Sequence, residues 1–327
     1  MNEGDQVNDD WMQYMRRGDF AAAWRISDRV LRVRTGVPCE HLPRHFQYFW
    51  DGRPLDGKHV LVRCYHGLGD TIQFVRYAPF VRARAREVIF WAQPKLIPLF
   101  RSVPGIDLLL PLHDGVPEVD FDTSVEIMEL PHVFRTTLST IPAEVPYLHV
   151  TPAQLPSRGS RLAVGSRLAV GLTWASGVWD TSRSVPFDVL RPLIRVPNVD
   201  WYVFQREEAL ADWPSSLGVI SKGELLGEAR LMAALDLMIS VDTMTAHLAG
   251  ALGVPVWTLL PKEADWRWMN ERDDSPWYPS MRLFRQHRQD DWKSVIDRVI
   301  TALETLSQNS LSIDLPQARD SCRRNPE

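Results

Sequence analysis

The sequence predicts an α/β protein made of two parallel-sheet domains with a short helical cap at the N-terminus. Three observations lead there. The chain has 327 residues, which is room for about two domains at roughly 150 residues each. From residue 58 short apolar runs alternate with amphipathic stretches, the pattern of βαβ units. That alternation stops near residue 146 and begins again at residue 168.

Each element follows from its local pattern. Residues 10–34 carry apolar positions at helical spacing around Gly18 and the Ala21-Ala22-Ala23 run, which reads as a helical hairpin. It is similar to a single tetratricopeptide-type unit, and one unit cannot build a solenoid. The first domain is expected to have strands at 58–64, 87–91, 106–111 and 120–125, with a helix at 71–85. The second is expected to have strands at 168–173, 200–204, 237–241 and 254–259, with helices at 186–194, 228–235 and 243–252. A closing amphipathic helix follows at 291–306, and the polar tail beyond Gln308 reads as disordered. The expected organisation is a cap over 1–54, a first domain over 55–150, a linker over 151–167, a second domain with its closing helix over 168–307, and a tail over 308–327. GSRLAV occurs twice in tandem, at 159–164 and 165–170, read as a tolerated duplication without function because loop length adds entropy cost only slowly.

Composition narrows the functional classes. With 37 Lys+Arg against 41 Asp+Glu the net charge is -4, so no global basic field exists to collect nucleic acid, and none is expected as a partner. Three widely spaced cysteines, Cys39, Cys64 and Cys322, fit a reducing compartment, and the acidic start of the chain is unlike an export signal. A cytoplasmic location is expected. The longest nearly apolar stretch, 248–261, is 14 residues with glycines and a proline, shorter than the ~20 a membrane span needs, so any membrane contact would be peripheral. Nine of the 13 tryptophans fall after residue 170, an asymmetry that asks for an explanation.

Three stretches carry chemistry, all at strand ends where α/β sheets bind ligands. Tyr65-His66-Gly67-Leu68-Gly69-Asp70-Thr71 follows the first strand. Gly67 and Gly69 permit positive φ and close backbone approach, while Asp70 is either a helix cap or a carboxylate aimed at a ligand. The third glycine of a dinucleotide fingerprint and the P-loop lysine are both missing. Asp242-Thr243-Met244-Thr245-Ala246-His247 opens a helix in the second domain. Free N–H groups and two hydroxyls there suit a diphosphate, with His247 one turn on; a plain capped helix with a buried histidine fits equally. Trp174-Ala175-Ser176-Gly177 ends a strand, followed by Arg183, whose planar fork of donors suits phosphate, and Trp174 is placed to stack on a sugar or base. Asp120-Phe121-Asp122 has the spacing of a metal-binding pair but reads as a solvated face. His41 and His45 near Cys39 are interrupted by Pro43, so no metal is expected.

Four blocks, GLGDTIQF at 67–74, GLTWASG at 171–177, SVDTMTAHLAGALGVPVW at 240–257, and DWRWM with SPWYPSMRLFRQ between 265 and 286, resemble bacterial glycosyltransferases of the ADP-heptose:lipopolysaccharide heptosyltransferase family, in particular a branch often fused to tetratricopeptide repeats. The resemblance spans roughly residues 55–305. It implies a GT-B fold, two Rossmann-like domains facing a cleft, with Asp70 as catalytic base on the acceptor side. It further implies donor contacts at Ser176, Arg183, Asp242, Thr243 and His247. Trp174, Met244 and Thr245 join that expected donor set by position, and no cofactor is implied beyond the nucleotide-diphosphate sugar as co-substrate. The chain departs from the branch at Tyr65-His66, where relatives have Gly-Glu, and at Met244, where heptosyltransferases often have Gly. The expected activity is metal-independent inverting transfer to a glycan, such as lipopolysaccharide, or to a protein. A sugar-nucleotide epimerase of the same architecture, or a non-catalytic scaffold on a transferase fold, would share these blocks.

Overall fold

The computed structural model describes residues 3–156, 167–177 and 180–312. The tandem hexapeptide, except its last four residues, and the tail beyond Ser312 lie outside the described residues.

The chain opens with α1 (Glu3–Arg16) and α2 (Phe20–Arg34), the expected hairpin, turned at Gly18 and capped where Asp19 accepts from Ala22 N. The first α/β unit then runs β1 (His59–Arg63), α3 (Leu68–Phe74), α4 (Ala78–Arg82), β2 (Glu87–Ala92), α5 (Ile97–Phe100), β3 (Leu108–Pro111), β4 (Thr123–Glu126) and α6 (Leu130–Val133). The second runs β5 (Leu168–Thr173), α7 (Phe187–Leu190), β6 (Val199–Val203), β7 (Val219–Ile220), α8 (Leu225–Met232), β8 (Leu237–Val241), α9 (Met244–Ala251), β9 (Val256–Leu260), β10 (Met281–Arg285) and α10 (Trp292–Ser312).

All named strand pairs are parallel. The first sheet has the order β3-β2-β1-β4 and the second β10-β9-β8-β5-β6-β7. In each sheet the chain builds outward from one central strand and then returns to that strand's other side. The reversals fall between β1 and β4, and between β5 and β8, and such reversals open a crevice at the strands' carboxyl ends. The sequence blocks after β1, β5 and β8 all sit at these two crevices.

Several expectations need correction. The helix expected over 71–85 is broken into α3, a 3-10 turn and α4, with Pro79 near the start of α4, where a missing N–H is tolerated. The helix expected over 186–194 is cut to four residues plus a 3-10 turn beyond Pro192. Strands β7 and β10 are additional to the expected set. α10 continues to Ser312, so residues 308–312 are helical rather than disordered tail.

The hairpin is part of the core. Trp11 meets Trp266 edge-on at 5.7 Å, Phe20 stacks on Trp277 at 6.4 Å, Phe74 of α3 stacks on Trp266 at 6.4 Å, and Trp24 Nε1 donates to Thr136 O. One apolar cluster therefore joins hairpin, first unit and the inner layer of the second. A separate cluster, holding Trp174, Trp201, Trp213 and Trp292, packs α7 and α10 on the second sheet's other side. The late tryptophans Trp266 and Trp277 thus pack against the N-terminal hairpin.

Candidate functional site

The two crevices face each other across a shared cavity of about 630 Å3. On the first unit's side Gly67 caps α3 with φ -64, and Asp70 accepts from Gly67 N at 3.0 Å, the one half of a capping box that a glycine cap allows. Neither Gly67 nor Gly69 uses positive φ, contrary to expectation. Gly69 is needed for close approach instead. A Cβ there would stand 3.0 Å from His247 Cδ2 and 3.3 Å from Met244 Cα, so the first turns of α3 and α9 touch. The cleft is closed around the site.

On the second unit's side Thr243 caps α9 without a side-chain cap bond. The first amide to find an intrahelical acceptor is that of Ala246, 3.1 Å from Thr243 O. The N–H groups of Met244 and Thr245 precede it and are the natural anion donors of this terminus. Arg183, at the end of a 3-10 turn capped by Asp180, donates through Nη1 to Asp242 O at 2.9 Å and pairs with Asp180 at 3.1 Å. That holds its guanidinium beside the start of α9. Asp242 is buried; burial and the neighbouring Asp265 carboxylate push its pKa up to about 6, against the pull of Arg267 and Arg183. His247 is buried too, and burial with the charges of Arg267, Arg76 and Arg183 keeps it well below the usual histidine range. Its ring stacks on Trp268 at 5.3 Å and Nδ1 lies 2.9 Å from the Tyr278 hydroxyl. A neutral histidine so fixed positions α9 against its neighbours.

Asp70, Arg183, Asp242, Thr243, Met244 and His247 line the cavity together with Gly67, Gly69 and Gly177. Trp174 does not. It is 2% exposed, stacked on Trp213 at 5.4 Å and packed against Phe187, so it is core rather than a stacking platform. Its amide, with that of Ala175, is held by Gln205 Oε1. Ser176 is used locally, donating to Asp180 O at 2.5 Å and lying 3.0 Å from Ser184 Oγ. The Thr245 side chain is buried in α9.

Three functional-looking groups escape sequence reasoning. Arg267, its side chain 8% exposed, reaches from the second unit to Asp70 Oδ1 at 2.6 Å and to Asp265 at 2.8 Å. Burial opposes its charge, but Asp265, Asp70 and Asp242 outweigh that. His66 lies beside Asp70 in the cavity wall, with Nδ1 2.9 Å from Oε1 of Glu126, a carboxylate at the end of β4. Arg267 sits in the DWRWM block without any local signal beyond its charge. The His66–Glu126 contact joins positions far apart in sequence and becomes visible only once β4 is placed beside β1.

Two of the residues at metal-like spacings bond backbone groups. Asp122 precedes β4 and accepts from His59 N at 2.8 Å, and Cys39 Sγ donates to Tyr48 O. Among the described residues no group of three or more His, Cys, Asp or Glu could hold a metal ion, and no helix is long and apolar enough to cross a membrane.

No family model matches the chain. It is 27% identical over 328 residues to Protein FlbA of Caulobacter vibrioides, in an alignment covering 89% of this chain and 54% of that protein. The chain therefore spans about half the length of the curated relative it matches. Among solved structures it is similar to a glycosyl transferase family 9 protein from Veillonella parvula, with a TM-score of 0.56 at 14% identity over 79% of this chain and 99% of the other. It is also similar to the ADP-heptose lipopolysaccharide heptosyltransferase II of E. coli, with a TM-score of 0.52 at 14% identity over 77% and 99%. These likenesses show the fold: two Rossmann-like units closing on one cleft, as in those two proteins.

Proposed function

We propose that this chain, which has the fold of those glycosyltransferases, is itself a glycosyltransferase that moves a sugar from a nucleotide-diphosphate donor to a hydroxyl of a glycan, of the lipopolysaccharide type, or of a protein. One observation supports this above the others: the free amide end of α9 and Arg183 share a cavity with the Asp70 carboxylate of the opposite unit. A diphosphate at the α9 terminus would have its negative charge met by preorganised N–H groups and a guanidinium, which is what a departing nucleoside diphosphate requires. This supply of positive charge comes from the chain's own groups, without a metal. Asp70, on the acceptor wall, is the general base. It takes the proton of the attacking hydroxyl as that oxygen joins the anomeric carbon from the face opposite the leaving group, which inverts the centre. Arg267 holds Asp70 in the closed arrangement, and a diphosphate gives its guanidinium a second anion to turn to.

The test pairs binding with turnover. A thermal-shift series with adenosine and uridine diphosphates finds the nucleotide, since a ligand at a hundred times its Kd stabilises by about 2.7 kcal/mol. Asp70→Asn keeps that shift and loses sugar transfer. Transfer at the wild-type rate in the variant would remove the assigned base, and an epimerised donor with no acceptor product would mark the epimerase reading instead.

A further inference from the structure

Among the described residues that line the cavity, His66 combines a basic nitrogen with a carboxylate dedicated to it. Its sequence position is ordinary, between β1 and α3. Topology gives it a partner. β4 lies beside β1 across the reversal of the first sheet, with Arg63 opposite Glu126, so the chain leaving β1 passes directly over the Glu126 carboxylate. That carboxylate, its side chain 2% exposed, is fixed from several directions: Oε1 accepts from Tyr65 N at 3.2 Å and Oε2 from Met128 N at 2.6 Å, while Nδ1 of His66 sits 2.9 Å from Oε1. The contact is an ion pair rather than an aligned hydrogen bond, and a buried carboxylate beside one ring nitrogen favours the charged ring and leaves the other nitrogen on the side away from it. Nε2 has no hydrogen-bond partner among the described residues, and the ring, about a quarter exposed, faces the cavity that also holds Asp70, Thr243 and Met244.

We propose that His66, seated on Glu126, is a catalytic acid of this site, donating from Nε2 to the oxygen of the leaving diphosphate while Asp70 accepts the proton of the acceptor hydroxyl. The inference rests on the transferase reading above. Proton and electron counts close. The acceptor oxygen bonds to the anomeric carbon and gives its proton to Asp70. The bond from that carbon to the diphosphate oxygen breaks, its electron pair stays on that oxygen, and the Nε2 proton of His66 goes to it. Transfer of the proton from Asp70 back to the imidazole resets both groups. Burial works against charge on His66, but the contact and charge of Glu126 and the nearby Asp70 outweigh it, against Arg267, so the ring stays protonated above the usual histidine value of 6.5.

The experiment follows His66 in the full chain with isotopically labelled histidines, its ring signals identified by their loss in His66→Gln. His66 should titrate above pH 6.5 in the wild type, titrate lower in Glu126→Gln, and shift when adenosine or uridine diphosphate is added. With a nucleotide sugar that turns over, such as ADP-heptose, His66→Gln should lower kcat about 100-fold with KM little changed and abolish the alkaline fall of the rate. A diphosphate that binds without moving the His66 ring, or a His66→Gln enzyme with wild-type kcat and pH profile, would overturn the proposal while leaving the transferase reading intact. Failure of every nucleoside diphosphate to bind would overturn both. If Glu126→Gln fails to fold, His66→Gln alone carries the decision, because its side chain is at the surface of the cavity.

Discussion

Replacing Gly69 by alanine tests the closed geometry of the site. The added methyl would lie 3.0 Å from His247 Cδ2 and 3.3 Å from Met244 Cα. Neither neighbour can yield cheaply. His247 is held by Tyr278 at 2.9 Å and by its stack on Trp268, and Met244 Cα is backbone at the first turn of α9. The two helix starts must separate by a few tenths of an ångström, and overpacking of this kind costs about 1–3 kcal/mol. Gly227 is the control. It sits inside α8 with no atom within 4 Å of where an added methyl would stand and no positive φ, so its alanine variant should gain up to about 1 kcal/mol from helix propensity. Urea unfolding of both variants, with adenosine and uridine diphosphate titrations alongside, reads the difference. Gly69→Ala should be the less stable of the two by about 2 kcal/mol or more and should bind diphosphate more weakly, because the amides of α9 move. Equal stability and unchanged affinity would refute the claim that α3 and α9 meet at this glycine.

Other outcomes follow from the same structure. Since Asp242 is pushed up to about 6, diphosphate affinity should fall as pH rises through that value and the carboxylate charges beside the anion; calorimetric titration across pH should show the dependence, and Asp242→Asn should flatten it. The same group is ionised sooner in the unfolded chain, so the stability it contributes is full below the ordinary aspartate value of 3.8 and is lost as pH rises through about 6. Trp174→Ala should cost about 3–5 kcal/mol in denaturant unfolding, as a core truncation, and Trp174→Leu should keep nucleotide affinity, which a stacking role would not allow. Arg183→Gln should weaken diphosphate binding by about 10- to 150-fold, the loss of a charge-assisted bond of about 1.5–3 kcal/mol, as calorimetric titration should show.

Sequence legibility tracks local information. β5 and β8 are read to the residue because parallel strands buried on both faces are continuous apolar runs, as Leu168–Thr173 and Leu237–Val241 are. The helices around Pro79 and Pro192 are overextended in the sequence pattern because their apolar spacing continues through a residue that ends regular hydrogen bonding. β10 hides in Met281–Arg285, where exposed Arg282 breaks the apolar run while Met281, Leu283 and Phe284 are buried. In the site, the strand-end blocks point to Asp70, Arg183 and the α9 start, since each depends on its own loop. Trp174 is misplaced by sequence because position at a strand end does not say which face of the sheet the ring takes, and Trp213 and Phe187 claim it for the core. Arg267 and the His66–Glu126 pair depend on contacts between distant segments, Arg267 with Asp70 across the cleft and His66 with Glu126 across the β1–β4 reversal.

In the proposed reaction a nucleotide sugar is bound at the α9 terminus and turned over against Asp70. Following nucleoside diphosphate release from ADP-heptose and related donors, with backbone amide shifts recorded in parallel, tests it most directly. Release is expected in the wild type, loss of release with retained binding in Asp70→Asn, and the largest shifts at the amides of Met244 and Thr245. Binding that leaves those two amides unmoved, or release undiminished in Asp70→Asn, would contradict it.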